Sequence, residues 1–122
     1  SNFHNELVND LIPAVESKYS TYAESVDAEG LAASRDHRAF GGFSMGSMNT
    51  WRTFEHCLDY FRYFAPSSGG PVGNGEYMAN IVRNSGHNFD DFFIFDHVQH
   101  RPLPHNQHRA SCRQIYKERF RI

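Results

Sequence analysis

The chain has 122 residues, of which 39% are apolar and 15% aromatic, enough to build the core of one small domain and too many for a globally disordered chain. The formal net charge of −2 provides no basic footprint for nucleic acid, so we expect no nucleic-acid partner. No apolar run approaches the roughly 20 residues that a membrane helix needs, so no membrane partner is expected either.

Charge is distributed unevenly along the chain. Residues 1–95 contain six Lys or Arg and twelve Asp or Glu, whereas residues 96–122 contain six and two, together with four of the eight histidines. This change in composition predicts a boundary near residue 95. We therefore expect one domain over residues 1–95, followed by an atypical basic tail, rich in His and Pro, over residues 96–122.

An amphipathic helix is predicted at the start of the chain, over residues 3–19. Its apolar residues recur close to every 3.6 positions and form one inward-facing stripe. Pro13 removes a backbone hydrogen bond and is expected to kink the helix. The stripe consists of Phe3, Leu7, Leu11 and Val15, widened by Val8 and Ile12.

Strands and helices alternate in the rest of the domain, after a polar loop with one short turn of helix over residues 20–35. This alternation is typical of parallel strands joined by helical crossovers, so the predicted fold class is α/β. The last helix is expected to face inward through Tyr77, Ile81 and Val82. The predicted strands cover residues 37–43, 60–65 and 92–95, the latter two buried, and the helices cover residues 47–58 and 76–85.

One short motif carries chemistry. Gly42-Phe43-Ser44-Met45-Gly46 matches the G-x-S-x-G pattern of a nucleophile elbow, in which a serine lies on a tight turn between a strand and a helix. We expect a strained backbone and an exposed hydroxyl at Ser44, with both glycines making room for the turn. The backbone N–H of Met45 is expected to stabilise an oxyanion, assisted by the dipole of the following helix.

The sequence around this motif resembles feruloyl and acetyl xylan esterases, an esterase D-like group of α/β-hydrolases. The resemblance rests on residues 40–46, on Asn49-Thr50-Trp51, on residues 57–69 and on residues 6–13 of the opening helix, and it extends from about residue 3 to residue 95. It implies a partial α/β-hydrolase fold that contains only the C-terminal half of the enzyme, without its N-terminal strands. Among the missing parts is an early loop that supplies a second oxyanion donor.

The resemblance also implies a function. These esterases hydrolyse ester substituents on plant xylan with a Ser-His-Asp triad, use no metal or organic cofactor, and often accompany xylanase or carbohydrate-binding modules in an extracellular protein. The expected partner is therefore cell-wall xylan or a feruloylated or acetylated oligosaccharide, and the expected nucleophile is Ser44. Trp51 and Tyr63 are candidates for an aromatic wall beside the substrate; the alternative for both is a place in the core, and Tyr63 fits the core better than the wall.

The acid and base of the triad are less well defined. In the family the acid follows the strand that corresponds to residues 92–95, in a Gly-Thr-x-Asp turn, and the histidine follows later in a Gly-x-His context. Neither phrase occurs here. Asp96 is the candidate acid, but it lies too close to the strand end, and His105 and His108 are candidate bases without matching context.

Two other interpretations of the tail remain open. His97-x-x-His100 and His105-x-x-His108 have the spacing of metal ligands, although Pro102 and the absence of a cysteine pair argue against a metal site. A shifted reading frame after codon 95, or an error at a gene boundary, would explain both the composition and the lost resemblance.

Three functions are therefore compatible with the sequence. The first is a truncated carbohydrate esterase, and the second is an inactive fragment or interaction remnant without a complete triad. The third is a generic carboxylesterase of the same superfamily that acts on other esters.

Overall fold

A computed structural model of the chain describes residues 2–71 and 73–96. The predicted alternation of helices and strands is confirmed over this range. A 3₁₀ turn at Arg35–His37 leads into the first strand. The elements are α1 (Phe3–Glu6), a π turn (Leu7–Leu11), α2 (Ile12–Lys18), α3 (Ala28–Ala33), β1 (Ala39–Phe43), α4 (Met45–His56), β2 (Tyr63–Ser67), α5 (Gly75–Ser85) and β3 (Phe93–Ile94).

The three strands form one parallel sheet in the order β1-β2-β3, as the alternation predicts. Ala39 pairs with Tyr63 and Phe43 with Ser67, while the short strand β3 begins opposite Tyr63. Because the strands are parallel, each connecting helix runs back from the carboxyl edge of the sheet to its amino edge. Helix α4 therefore begins at the carboxyl edge, where β1 ends, and finishes at the amino edge.

The opening helix departs from the predicted stripe. Leu7 and Ile12 are buried, five residues apart, whereas Leu11 and Val15 are exposed. The five-residue spacing follows from the π turn, whose hydrogen bonds span one residue more than those of an α-helix. This irregular turn ends two residues before Pro13, which cannot donate the regular helical bond, and it shifts the buried face of the helix.

Only one face of the sheet is covered by described residues. Side chains alternate along the strands, and Phe64 and Pro66 of β2 are buried against the helices while Ala65 between them is exposed. The helices contribute to one continuous core, which consists of Leu7, Ile12, Leu31, Trp51, Phe54, Cys57, Leu58, Phe61, Phe64, Met78, Val82 and Phe92. The opposite face presents Phe43, Phe93 and Phe95 to solvent.

Two predictions of burial are therefore correct only in part. The strand at residues 92–95 was expected to be buried, but Phe93 and Phe95 are exposed, while Phe92 is buried and Ile94 packs partly buried against the core. In α5, Val82 is buried as predicted and Ile81 packs partly buried against the core, but Tyr77 is exposed and its hydroxyl donates to Glu55. None of the described helices is both long and apolar enough to cross a membrane.

Arg38 joins several elements at the amino edge of the sheet. Its guanidinium forms a two-pronged ion pair with Glu16 of α2, at 2.9 and 3.1 Å, and donates to the Leu31 and Tyr60 carbonyl oxygens and to the Ser34 hydroxyl. Only 8% of Arg38 is exposed. A buried charge requires partners of this number and geometry, so Arg38 holds the opening helix and α3 against the segment that leads into β2.

Candidate active site

Ser44 lies at the sharp turn between β1 and α4, as the motif predicts. Phe43 is the last residue of β1, Met45 is the first residue of α4, and Ser44 alone connects them. Its backbone has φ 56° and ψ −111°, a combination that a residue with a side chain rarely adopts. The residue is exposed at the carboxyl edge of the sheet.

The two glycines of the motif differ in their need for space. A Cβ atom at Gly42 would lie 2.4 Å from the backbone carbon and oxygen of Gly46, so no side chain fits there. A Cβ atom at Gly46 meets no described atom within 4 Å. The close approach of strand and helix therefore requires glycine at position 42, and the expectation that both glycines make this room is correct for only one of them.

Met45, the predicted oxyanion donor, lies at the start of α4. Met45 is the first helical residue and 78% of it is exposed. The first amides of a helix have no acceptor within the helix, and they carry the positive end of its dipole. Ser44 contributes its own carbonyl to the first turn, where it accepts from the Ser47 and Met48 amides at 3.0 and 3.3 Å.

The turn after β2 packs against the elbow, an arrangement that the sequence analysis did not anticipate. The Ser44 amide donates to the Ser67 carbonyl oxygen at 2.9 Å. Two residues further on, the Gly69 carbonyl oxygen accepts from the Ser47 hydroxyl at 2.9 Å and from Trp51 Nε1 at 3.0 Å. The available signal was the spacing of Ser47 and Trp51, which places both donors on one face of α4.

Neither aromatic residue predicted for a substrate wall lies on one. Trp51 is only 3% exposed, and its ring packs edge-on against Phe54 in the core. Burial is possible because the indole N–H donates to the Gly69 carbonyl oxygen. Tyr63 is the first residue of β2 and pairs with Ala39 at the amino edge of the sheet. It therefore lies at the end of the strands opposite Ser44, where it stacks on Phe93.

All four histidines within the described ranges lie at the amino edge, away from Ser44. His37 precedes β1, and His56 ends α4 and stacks on His4 at 4.0 Å between ring centroids. His87 lies between α5 and β3, where its Nε2 is 2.7 Å from a carboxylate oxygen of Asp59. None of these four residues forms a hydrogen bond with Ser44, so within residues 2–71 and 73–96 no histidine is placed to accept a proton from its hydroxyl.

Asp96 follows β3 at the carboxyl edge and is half-buried, two residues beyond the last strand residue. The candidate bases His105 and His108 lie outside the described residues, as do His97 and His100 of the alternative metal site. The described part of the chain contains no group of three or more His, Cys, Asp or Glu side chains that could hold a metal ion.

Cys57 offers no alternative nucleophile. The residue lies in the core at the end of α4 and forms no disulfide within the part of the chain that the structure describes. Burial raises the pKa of its thiol to about 11, and the charge of Asp59 acts in the same direction. A thiol must ionise to react, so Cys57 has a packing role at neutral pH.

Comparisons with known proteins agree with this geometry. A solved structure of a feruloyl esterase (FAE) is 48% identical, with a TM-score of 0.74. The match covers 78% of this chain and 36% of that one. A serine-to-alanine mutant of the feruloyl esterase module from Clostridium thermocellum, complexed with sinapinate, matches with 44% identity, the same TM-score and the same coverage. No family model matches the chain.

The chain is also similar to part of a much longer protein, a xylanase. Endo-1,4-beta-xylanase Y from Acetivibrio thermocellus is 45% identical over an alignment of 108 residues, and the match covers 80% of this chain and 10% of the xylanase. The chain thus spans about a third of the solved structures and a tenth of the xylanase. The resemblance to the feruloyl esterase family of α/β-hydrolases is therefore confirmed, and the described residues form part of that fold.

Proposed function

We propose that this chain carries the nucleophile of a carbohydrate esterase that hydrolyses ester substituents on plant xylan. The observation that carries the proposal is the backbone of Ser44, which holds a positive φ at the junction of β1 and α4. The strain of such a backbone is typical of functional sites, and the surrounding sequence is that of feruloyl esterases.

The proposed reaction is acyl transfer in two steps. Ser44 Oγ attacks the ester carbonyl carbon while a histidine removes the hydroxyl proton, and the same proton then passes to the departing sugar oxygen. Water hydrolyses the acyl-enzyme and regenerates Ser44. The amide of Met45 donates to the oxyanion in both steps.

An aromatic acyl group is favoured over acetyl. The feruloyl esterase module with 44% identity was solved with sinapinate, an aromatic acid. The similarity to a xylanase supports a role in xylan degradation, in an extracellular protein that also contains xylanase or carbohydrate-binding modules. A generic carboxylesterase would share Ser44 and the elbow but would not require this sugar-linked substrate.

The identity of the acid and base remains a prediction. Asp96 lies at the correct edge of the sheet for the acid, while His105 and His108 remain candidate bases outside the described residues. The second candidate function, an inactive fragment or interaction remnant, is favoured by one observation. All four described histidines lie at the edge opposite Ser44.

A chimaera tests the proposed function. Residues 3–95 would replace the matching part of the feruloyl esterase module from Clostridium thermocellum, so that the host supplies the rest of the site. We expect hydrolysis of methyl ferulate, reduced by on the order of 10⁶-fold in the Ser44→Ala chimaera. A folded chimaera that is inactive, or one that keeps its activity without the Ser44 hydroxyl, would contradict the proposal. Circular dichroism establishes folding independently of activity.

A further inference from the structure

The Gly69 carbonyl oxygen is the point at which helix α4 and the turn after β2 are joined. Ser47 Oγ and Trp51 Nε1 donate to this one oxygen, at 2.9 and 3.0 Å, from successive turns of α4. Ser47 is fully buried and Trp51 almost fully. Two buried donors therefore converge on a single acceptor next to the nucleophile.

The same turn contacts Ser44 directly. The Ser67 carbonyl oxygen accepts from the Ser44 amide at 2.9 Å, and Ser68 then adopts a positive φ of 58°, which directs the chain towards α4. A Cβ atom at Gly69 would lie 3.1 Å from the Ser44 carbonyl oxygen and 2.9 Å from Ser47 Cβ. The turn therefore lies in close contact with the elbow, and Gly69 fits where a larger residue would press on Ser44.

We propose that Trp51 and Ser47 are positioning residues for Ser44, which they hold in its strained conformation through the Gly69 carbonyl and the turn at residues 67–69. A backbone at φ 56° is kept in place only when its surroundings restrain it. One restraint comes from inside α4, through the carbonyl of Ser44. The other comes from the turn, through the Ser44 amide, and it is this second restraint that Trp51 and Ser47 secure.

Hydrogen exchange of individual amides in the complete 122-residue chain tests the proposal. Trp51→Phe keeps an aromatic ring in the core and removes the N–H donor, and Ser47→Ala removes the second donor. We expect each variant to speed exchange of the Ser44 amide about fivefold relative to the Phe93 amide, because a typical hydrogen bond contributes a factor of this order. The Phe93 amide, on strand β3 at the other side of the sheet from β1, donates to the Arg62 carbonyl oxygen. It serves as the reference.

A control variant separates positioning from general stability. Phe61→Leu weakens core packing through a buried ring that contacts Phe40 and Phe64 rather than Trp51, so it should speed exchange at Ser44 and Phe93 alike. If Trp51→Phe and Ser47→Ala also affect both amides equally, their role is only structural and the proposal fails. If a variant unfolds the chain, the other variant decides.

The positioning of Ser44 serves catalysis only if the proposed function is correct. The hydrogen-exchange experiment itself, however, does not require a catalytically active protein. An inactive Ser44 in the chimaera, combined with selective loss of protection at its amide in these variants, would reject the esterase and keep the positioning role. Activity in the chimaera, combined with equal exchange effects at the Ser44 and Phe93 amides, would support the esterase and reject the positioning role.

Discussion

The two edges of the sheet differ in what they contain. The carboxyl edge has the strained serine, the free amides at the start of α4 and the turn that supports them. The amino edge has the four described histidines, the Arg38 network and the ion pairs of Asp36 with Arg62 and of Asp59 with His87. The described histidines thus lie at the amino edge, whereas Ser44 lies at the carboxyl edge.

This difference separates two kinds of requirement. The position of Ser44 depends on contacts within a short stretch of chain and one neighbouring turn, all of which the described residues contain. A proton acceptor for Ser44 must come from a distant part of the chain, because parallel strands bring only residues that follow them to the carboxyl edge. The turn around Ser44 is therefore fully formed even though no histidine among the described residues contacts it.

The amino edge is expected to serve stability, and Arg38→Ala should have the largest effect on it. The substitution leaves Glu16 without its ion-pair partner in a half-closed site and removes donors from two carbonyl oxygens. We expect a loss of about 3–5 kcal/mol in the free energy of unfolding, measured by chemical denaturation. Arg52→Ala is the matched control, because the Arg52 side chain that pairs with Glu55 is 45% exposed, against 9% for that of Arg38, and its loss should cost less than about 1 kcal/mol. Equal losses in the two variants would mean that Arg38 does not anchor this edge.

At the carboxyl edge, the two glycines of the elbow form a matched pair. Gly42→Ala places a methyl group against the backbone of Gly46 and should destabilise the chain by about 3 kcal/mol. Gly46→Ala meets no described atom and adds a better helix former to the first turn of α4, so it should be neutral or stabilise by up to about 1 kcal/mol. The order of the two melting temperatures is the measurement, and a reversed order would show that the strand and helix do not approach as described.

The strained backbone of Ser44 predicts a smaller effect on the free energy of unfolding. Ser44→Gly and Ser44→Ala both remove the hydroxyl, but only glycine adopts a positive φ without a steric cost. We expect the Ser44→Gly variant to be more stable than the Ser44→Ala variant by about 1 kcal/mol, measured by urea unfolding. Equal stabilities would indicate that the elbow backbone relaxes in solution.

Much of the fold follows from sequence patterns. The alternation of apolar runs was sufficient to predict a parallel α/β arrangement, and Gly42 to Gly46 located the elbow to the residue. The errors have physical causes. The π turn before Pro13 shifted the buried face of the opening helix to Ile12, and periodicity alone does not reveal such a turn.

The candidate site was only partly predictable for a similar reason. Trp51 was considered for a substrate wall because aromatic side chains serve both in cores and at binding surfaces. In the structure it is buried and donates to the Gly69 carbonyl oxygen, eighteen residues away, and no local pattern specifies that contact. Tyr63 was considered for the same wall, but its register opposite Ala39 places it at the amino edge.

The histidines at the amino edge predict the smallest effect, a weak dependence of stability on pH. Burial lowers the pKa of His4, and the charge of the stacked His56 lowers it further. Because the folded chain then resists protonation of His4, this contribution is complete above the unfolded pKa of about 6.5 and is lost as the pH falls below it. Stability should therefore decrease slightly from pH 7 to pH 5, and less so in His4→Phe, which keeps a ring against His56 without titrating. The same decrease in both proteins would assign the pH dependence to other groups.

The rate at which the 122-residue chain hydrolyses methyl ferulate, compared with its Ser44→Ala variant, tests the central claim most directly. Loss of the base from a serine triad can reduce turnover by on the order of 10⁶-fold, and no histidine within residues 2–71 and 73–96 serves Ser44. The account therefore predicts equal rates for the two proteins, both close to the uncatalysed rate. Turnover near that of an intact esterase, abolished by Ser44→Ala, would contradict it and would place the base among His97, His100, His105 and His108.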